Sequence, residues 1–137
     1  MNIIIFAGGT GRRLWPLSRQ NSPKQFQVFK GEKSTLQMAV DRVRDFDLGN
    51  VYISTNQNYV DEIKRQVPDL PEENILPEPA KRDLAAAVGL SLMRLKHKGL
   101  EGPTAVLWAD HFMKKPDNFK QALKQGQELT KQNPSKF

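Results

Sequence analysis

An unbroken apolar run near the amino terminus, Ile3, Ile4, Ile5, Phe6 and Ala7, stops abruptly at Gly8, Gly9, Thr10 and Gly11. The run is too short for a membrane span, and its β-branched isoleucines favour an extended chain, so it predicts a strand. No polar residue alternates with the apolar ones. Such a strand must be covered on both faces, which selects a sheet with helices above and below it. Three glycines in the next four positions admit backbone dihedrals closed to other residues and let N–H groups approach a ligand closely, an arrangement suited to phosphate oxygens. The nearby charge agrees: Arg12, Arg13, Arg19, Lys24 and Lys30 follow, and the first thirty residues contain no Asp or Glu.

Strand and helix signals alternate along the rest of the chain. Ser34 or Thr35 precedes Leu36, Ala39, Val40, Val43 and Phe46, spaced as one face of a helix ending near Gly49. Val51 to Ser54 reads as a strand, and Thr55 to Asn58 open a second helix with Tyr59, Val60, Ile63 and Val67, closed by Pro68 and Pro71. Asn74 to Pro77 reads as a brief strand. Lys81 to His97 predicts the longest helix, with Leu84, Val88, Leu92 and Leu95 on its apolar face and Gly99 and Gly102 stopping it. Thr104 to Trp108 is the fourth strand, and Pro116 and Asp117 start a last helix that groups Phe119, Ala122, Leu123, Gly126 and Leu129.

This pattern predicts one α/β domain, a Rossmann-like open sheet, mainly parallel, with helices on both faces. Right-handed crossovers give the strand order 3-2-1-4. Ligands of such sheets sit beyond the carboxyl ends of the strands where the order reverses, so the Gly8 to Arg13 loop should face the segment after Trp108. Asp110 then lies across a crevice from the glycines, where a divalent ion bridging phosphate oxygens needs a hard oxygen ligand; it is the metal candidate. His111 beside it is expected to hydrogen-bond within the loop rather than act as a base. His97, between Lys96 and Lys98, is expected at the surface, near a helix C-terminus that favours positive charge.

Composition narrows the function. With 38% apolar and 26% charged residues, 137 residues suffice for one core, which excludes a disordered chain. Cysteine is absent, so a disulfide framework and thiolate metal sites are excluded. No apolar run reaches the roughly 18 residues of a membrane helix and no basic segment precedes the first strand, so a cytoplasmic protein without a membrane partner is expected. The formal charge of +6 suits either nucleic acid or a phosphorylated small molecule. Trp15, Phe26 and Phe29 form no stacking platform pattern, which favours a nucleotide over nucleic acid.

Two common phosphate loops fail the spacing test. No Gly-Lys-Ser/Thr follows the glycines, and counting G-x-G-x-x-G from Gly9 and Gly11 ends on Leu14. The run Gly8-Gly9-Thr10-Gly11-Arg12-Arg13-Leu14-Trp15-Pro16-Leu17-Ser18, followed by Pro23-Lys24-Gln25-Phe26, resembles instead the signature of the sugar nucleotidyltransferases. Val106 to His111 is similar to that family's second motif, with Trp108 where the family carries proline or another small residue. Glu78-Pro79-Ala80-Lys81-Arg82-Asp83-Leu84-Ala85 resembles its base-reading segment, with Asp83 and Leu84 in place of Asn and Thr.

The Trp-Pro-Leu-Ser-Arg and Pro-Lys-Gln-Phe variants look most like the branch that transfers a guanylyl group. That resemblance implies GTP and mannose 1-phosphate as substrates, GDP-mannose and pyrophosphate as products, and Mg2+ or another divalent cation as cofactor. It implies that Ala7, Gly8, Gly9, Thr10, Gly11 and Arg12 hold the nucleotide, that Arg13 contacts the leaving phosphates, and that Lys24 stabilises charge at the α-phosphate. Asp110 would hold the metal, and Glu78, Arg82 and Asp83 would read the base; a role for Asp83 as cap of the following helix is equally expected. Family members are more than twice this length, so residues 1–137 are expected to be an amino-terminal, nucleotide-binding portion without the sugar-phosphate portion. The segment Asn133 to Phe137 would then leave core exposed at an edge and favour association into homo-oligomers. The alternatives are a non-catalytic nucleotide-binding or regulatory module, and a pyrophosphorylase acting on another nucleotide or sugar 1-phosphate.

Overall fold

The apolar amino-terminal run forms strand β1, Asn2–Phe6, and all five of its residues are buried. The computed structural model of the chain describes residues 1–9, 23–28, 31–80 and 83–134. Strand β2, Val51–Asn56, pairs with β1 in parallel, Ile3 opposite Val51 and Phe6 opposite Ser54. Strand β4, Thr104–Trp108, pairs with the other edge of β1, Asn2 opposite Thr104 and Phe6 opposite Trp108. Strand β3, Ile75–Glu78, lies outside β2. The order is therefore β3-β2-β1-β4, all parallel, as the crossover rule required.

Four helices connect and cover the strands: α1, Thr35–Asp41; α2, Val60–Gln66; α3, Leu84–His97; and α4, Pro116–Gln132. Alternate β1 residues divide the core. Ile3 and Ile5 pack with Leu36, Ala39 and Val40 of α1 and Ile63 of α2, with Phe119 and Leu123 of α4 beside them. Ile4 and Phe6 point the other way, into a layer with Tyr52, Leu76 and Ala87 and Leu95 of α3. Three helices thus cover one face and α3 covers the other. A strand interior on both sides explains why no polar residue interrupts 3 to 7.

Several boundaries differ from the sequence expectation. Ser34 is the cap of α1: it accepts from the Gln37 N–H while Gln37 returns a bond to the Ser34 N–H, a complete capping box. The helix ends at Asp41 because Val43 leaves helical geometry, and Phe46 rides on a separate 3-10 turn, Arg44–Phe46. The second helix starts later than Thr55, because Thr55 and Asn56 extend β2 and residues 57 to 59 make a 3-10 turn. Among the described residues α4, with 17 residues, is longer than α3, with 14. The buried stripe of α3 is Ala87, Ser91 and Leu95, whereas Leu84 and Leu92 are 49% and 40% exposed. Small residues let this helix lie close to the sheet, and they escape a reading that weighs only large apolar side chains. The apolar stripe of α4 is half covered: Phe119 and Leu123 reach the core, but Leu129 is exposed.

The core makes a direct prediction. Ile5 is fully buried between β2 and β4, so Ile5→Ala should destabilise the fold by about 3 kcal/mol in urea unfolding. Leu129→Ala, on the exposed part of α4, should change stability by no more than about 0.5 kcal/mol.

Candidate active site

The carboxyl end of β1 is held by hydrogen bonds from three directions. The Ala7 N–H donates to the Ser54 carbonyl at 2.8 Å. The Ala7 carbonyl accepts from Gln25 Nε2 at 2.7 Å and from Thr55 Oγ1 at 3.3 Å. Gln25 is buried on a 3-10 turn, Lys24–Phe26, and Thr35 Oγ1 in turn donates to the Gln25 carbonyl at 3.2 Å. Gly8 and Gly9 leave the strand from this anchored point. A side chain at Gly8 would put its Cβ 3.2 Å from Glu78 Oε1 and 3.4 Å from the Asn56 backbone N, so glycine there leaves room for the Glu78 carboxylate.

The same turn aims Lys24. Its ammonium donates to the carboxylate of Asp110, 86 residues away in sequence, just past the end of β4. Asp110 is placed by the sheet itself, since the preceding residue continues the ladder, Ala109 N–H to Phe6 carbonyl at 3.1 Å. The following residue is tied to the C-terminal end of α1: Arg42 Nη2 donates to the His111 carbonyl at 2.7 Å, with the guanidinium over the Phe119 ring at 5.6 Å. Arg42 is only 8% exposed, and burial pushes its guanidinium below its ordinary value; the group is basic enough to stay charged. The His111 loop bond is made by its backbone, while the imidazole lies against the Trp108 ring at 5.6 Å. His97 is exposed at the end of α3.

These groups enclose a cleft of about 330 Å³ at the carboxyl ends of the strands. Gly8, Gly9, Lys24 and Asp110 line its polar side, and Phe6, Leu84, Ala87 and Trp108 its apolar side; Glu78 joins them from the end of β3. Glu78 Oε1 accepts from the Ser54 hydroxyl at 3.0 Å. Two effects oppose each other at Asp110. Partial burial raises its carboxyl, but the hydrogen bond and charge of Lys24, with a backbone hydrogen bond and the nearby His111, together outweigh burial, and the group lies below the usual aspartate range. The Lys24 ammonium already compensates the Asp110 carboxylate, so a divalent ion at this oxygen would have to displace or share that partner and take its other ligands from phosphate and water. Among the described residues no cluster of three or more His, Cys, Asp or Glu offers an all-protein metal cage.

Of the residues singled out in the sequence, Ala7, Gly8, Gly9, Lys24, Glu78 and Asp110 come together at this cleft. Thr10, Gly11, Arg12, Arg13 and Arg82 lie outside the described residues. Asp83 occupies the cap position of α3, its carbonyl accepting from Ala86 and Ala87, but its carboxylate makes no capping bond and it is not part of the cleft wall. Sequence reasoning missed Gln25, Thr55 and Ser54, the groups that fix the loop and Glu78. Gln25 stands beside Lys24 in the quoted motif; nothing in its neighbourhood marks an amide as buried.

Residues 2–135 match the family described as Nucleotidyl transferase. The chain is similar to the mannose-1-phosphate guanylyltransferase of Escherichia coli (strain K12), 36% identical over 126 residues that make up 88% of this chain and 26% of that protein. It is 34% identical over 122 residues to the alginate biosynthesis protein AlgA of Pseudomonas syringae pv. tomato, again 88% of this chain and 25% of the relative. A crystal structure described as mannose-1-phosphate geranyltransferase, from Thermus thermophilus, superposes with a TM-score of 0.76 at 30% identity, over 90% of this chain and 36% of that one. The chain spans about a quarter of the length of the curated relatives it matches.

Two predictions test the geometry. Gln25→Ala removes one of two side-chain donors to the Ala7 carbonyl from a buried position and should cost about 1 to 2 kcal/mol in urea unfolding. The depressed Asp110 carboxyl contributes stability that is in place above the ordinary aspartate value of 3.8 and is lost as pH falls through its lower folded value. In metal-free buffer, Asp110→Asn should therefore flatten the acid limb of the stability curve below pH 3.8, leaving the slope contributed by Asp45, Glu62 and Asp69, which Lys120, Arg65 and Arg44 hold down.

Proposed function

The chain belongs to the nucleotidyl transferase family, and on that premise we propose that it is the GTP-binding portion of a mannose-1-phosphate guanylyltransferase acting in GDP-mannose synthesis. In the reaction the sugar phosphate oxygen attacks the α-phosphorus of GTP in line, and pyrophosphate leaves. What supports this reading most is the Lys24 to Asp110 contact beside Gly8 and Gly9, which joins a phosphate-binding loop, a cation and a carboxylate at the strand-order reversal. Backbone N–H groups of Gly8 and Gly9, with Thr10, Gly11 and Arg12, hold the triphosphate. Arg13 contacts the leaving phosphates, and Lys24 neutralises charge at the α-phosphate. Glu78 and Arg82 read the base, and Asp83 caps α3 through its backbone.

Asp110 would hold Mg2+ or a similar divalent ion together with phosphate oxygens, and the ion supplies Lewis-acid charge neutralisation there. In this reading residues 1–137 form the nucleotide-binding portion, and the sugar-phosphate pocket belongs to the length of the relatives that this chain does not cover. Mannose 1-phosphate is thus the second substrate of the whole enzyme. The partner is a free nucleotide rather than nucleic acid, and the setting is the cytoplasm. No helix among the described residues is long and apolar enough to cross a membrane.

Calorimetric titration tests the reading. With Mg2+ present, GTP should bind saturably, and Lys24→Ala should weaken binding by about tenfold or more, the effect of losing a charged hydrogen bond. Asp110→Ala should abolish the Mg2+ dependence. Equal weak binding of GTP by the parent chain and both variants, falling steeply with salt, would reduce the site to a basic surface.

A further inference from the structure

The layer between the sheet and α3 is apolar at Ile4, Phe6, Tyr52, Leu76, Ala87 and Leu95. Two serines interrupt it. Ser54 on β2 is fully buried and Ser91 on α3 is 2% exposed. Ser91 Oγ donates to Ser54 Oγ at 3.3 Å, and Ser54 Oγ donates to Glu78 Oε1 at 3.0 Å. An unpaired buried hydroxyl is costly, and alanine would fill either position without that risk. The two hydroxyls instead form a one-way relay from helix to strand to carboxylate. A hydroxyl that donates to an anion becomes a better acceptor, so the bonds strengthen each other.

The relay ends at the cleft. Glu78 lines it, and the held oxygen lies close to Gly8, where a Cβ would meet Oε1 at 3.2 Å. We propose that Ser54 and Ser91 are positioning residues that lock the Glu78 carboxylate at the cleft wall and so select a base presenting adjacent N–H donors. Guanine offers such a pair on its Watson–Crick edge. Adenine turns a ring nitrogen acceptor toward the same place, where an ionised carboxylate, which only accepts, repels it. The inference rests on the nucleotide-site reading above and adds to it the source of base preference.

The test measures GTP and ATP affinities in Mg2+ buffer for the parent chain, Ser54→Ala, Ser91→Ala and Glu78→Gln. Ser54→Ala should lower the GTP to ATP preference by about fivefold to tenfold, through weaker GTP binding with ATP binding little changed. Ser91→Ala should lower it by about twofold to threefold. Serines needed only for packing would weaken both nucleotides in proportion and leave the ratio constant, which overturns the relay. An unchanged ratio in Ser54→Ala beside a collapsed ratio in Glu78→Gln also overturns it, while leaving the nucleotide site standing. If Ser54→Ala fails to fold, Ser91→Ala decides alone, because alanine is favourable inside a helix. A parent chain that binds no GTP saturably removes both the site and the relay.

Discussion

Strand β1 is hydrogen-bonded on both edges and covered on both faces, and every other element takes its place from that double burial. Both of its neighbours run parallel to it, and parallel neighbours require crossovers that carry helices over the sheet. Alternate isoleucines then decide which helices share a layer: α1, α2 and α4 meet Ile3 and Ile5, and α3 meets Ile4. The cleft inherits its position from the same constraint. Where β1 ends, its ladder to β2 and β4 continues for one more residue on each side, through Ala7 and Ala109, and the chain is released into the cleft from fixed points.

Local charge completes that frame. The first thirty residues carry five basic side chains and no carboxylate side chain. Asp110 answers one of them, and Arg42, drawn out of water beneath the same loop, fixes the backbone that carries Asp110. Polar groups at the base of the cleft are satisfied without exception: no buried side-chain N or O among the described residues lacks a partner. Such complete pairing keeps a polar site rigid in an otherwise apolar molecule.

Much of this was legible in the residues themselves. The apolar run at 3 to 7, the glycines after it and the regular return of strand signals were enough for sheet order and for the meeting of Gly8 with Asp110, because handed crossovers leave few alternatives. Strand limits were read within one or two residues, and β4 as Thr104 to Trp108. On α3 the expected face holds at Val88 and Leu95 but not at Leu84 and Leu92, because the burial there falls on Ala87 and Ser91, whose small side chains carry little periodic signal. Gln25 and Thr55 were missed for a different reason. Each matters through a bond to one carbonyl at residue 7, and such a bond depends on three-dimensional placement that no spacing rule encodes.

The pairing of β1 with β4 joins residues about a hundred positions apart, Asn2 with Thr104 through Phe6 with Trp108. Closing so long a loop is an entropic cost met before its contacts form, and topologies rich in distant pairings fold slowly. During synthesis β1 emerges before either strand that pairs with it, and one of its two hydrogen-bonding edges has no mate until the fourth strand has emerged. Lys24 meets its carboxylate only at that late stage, so this wall of the cleft is completed well after the strand that anchors it.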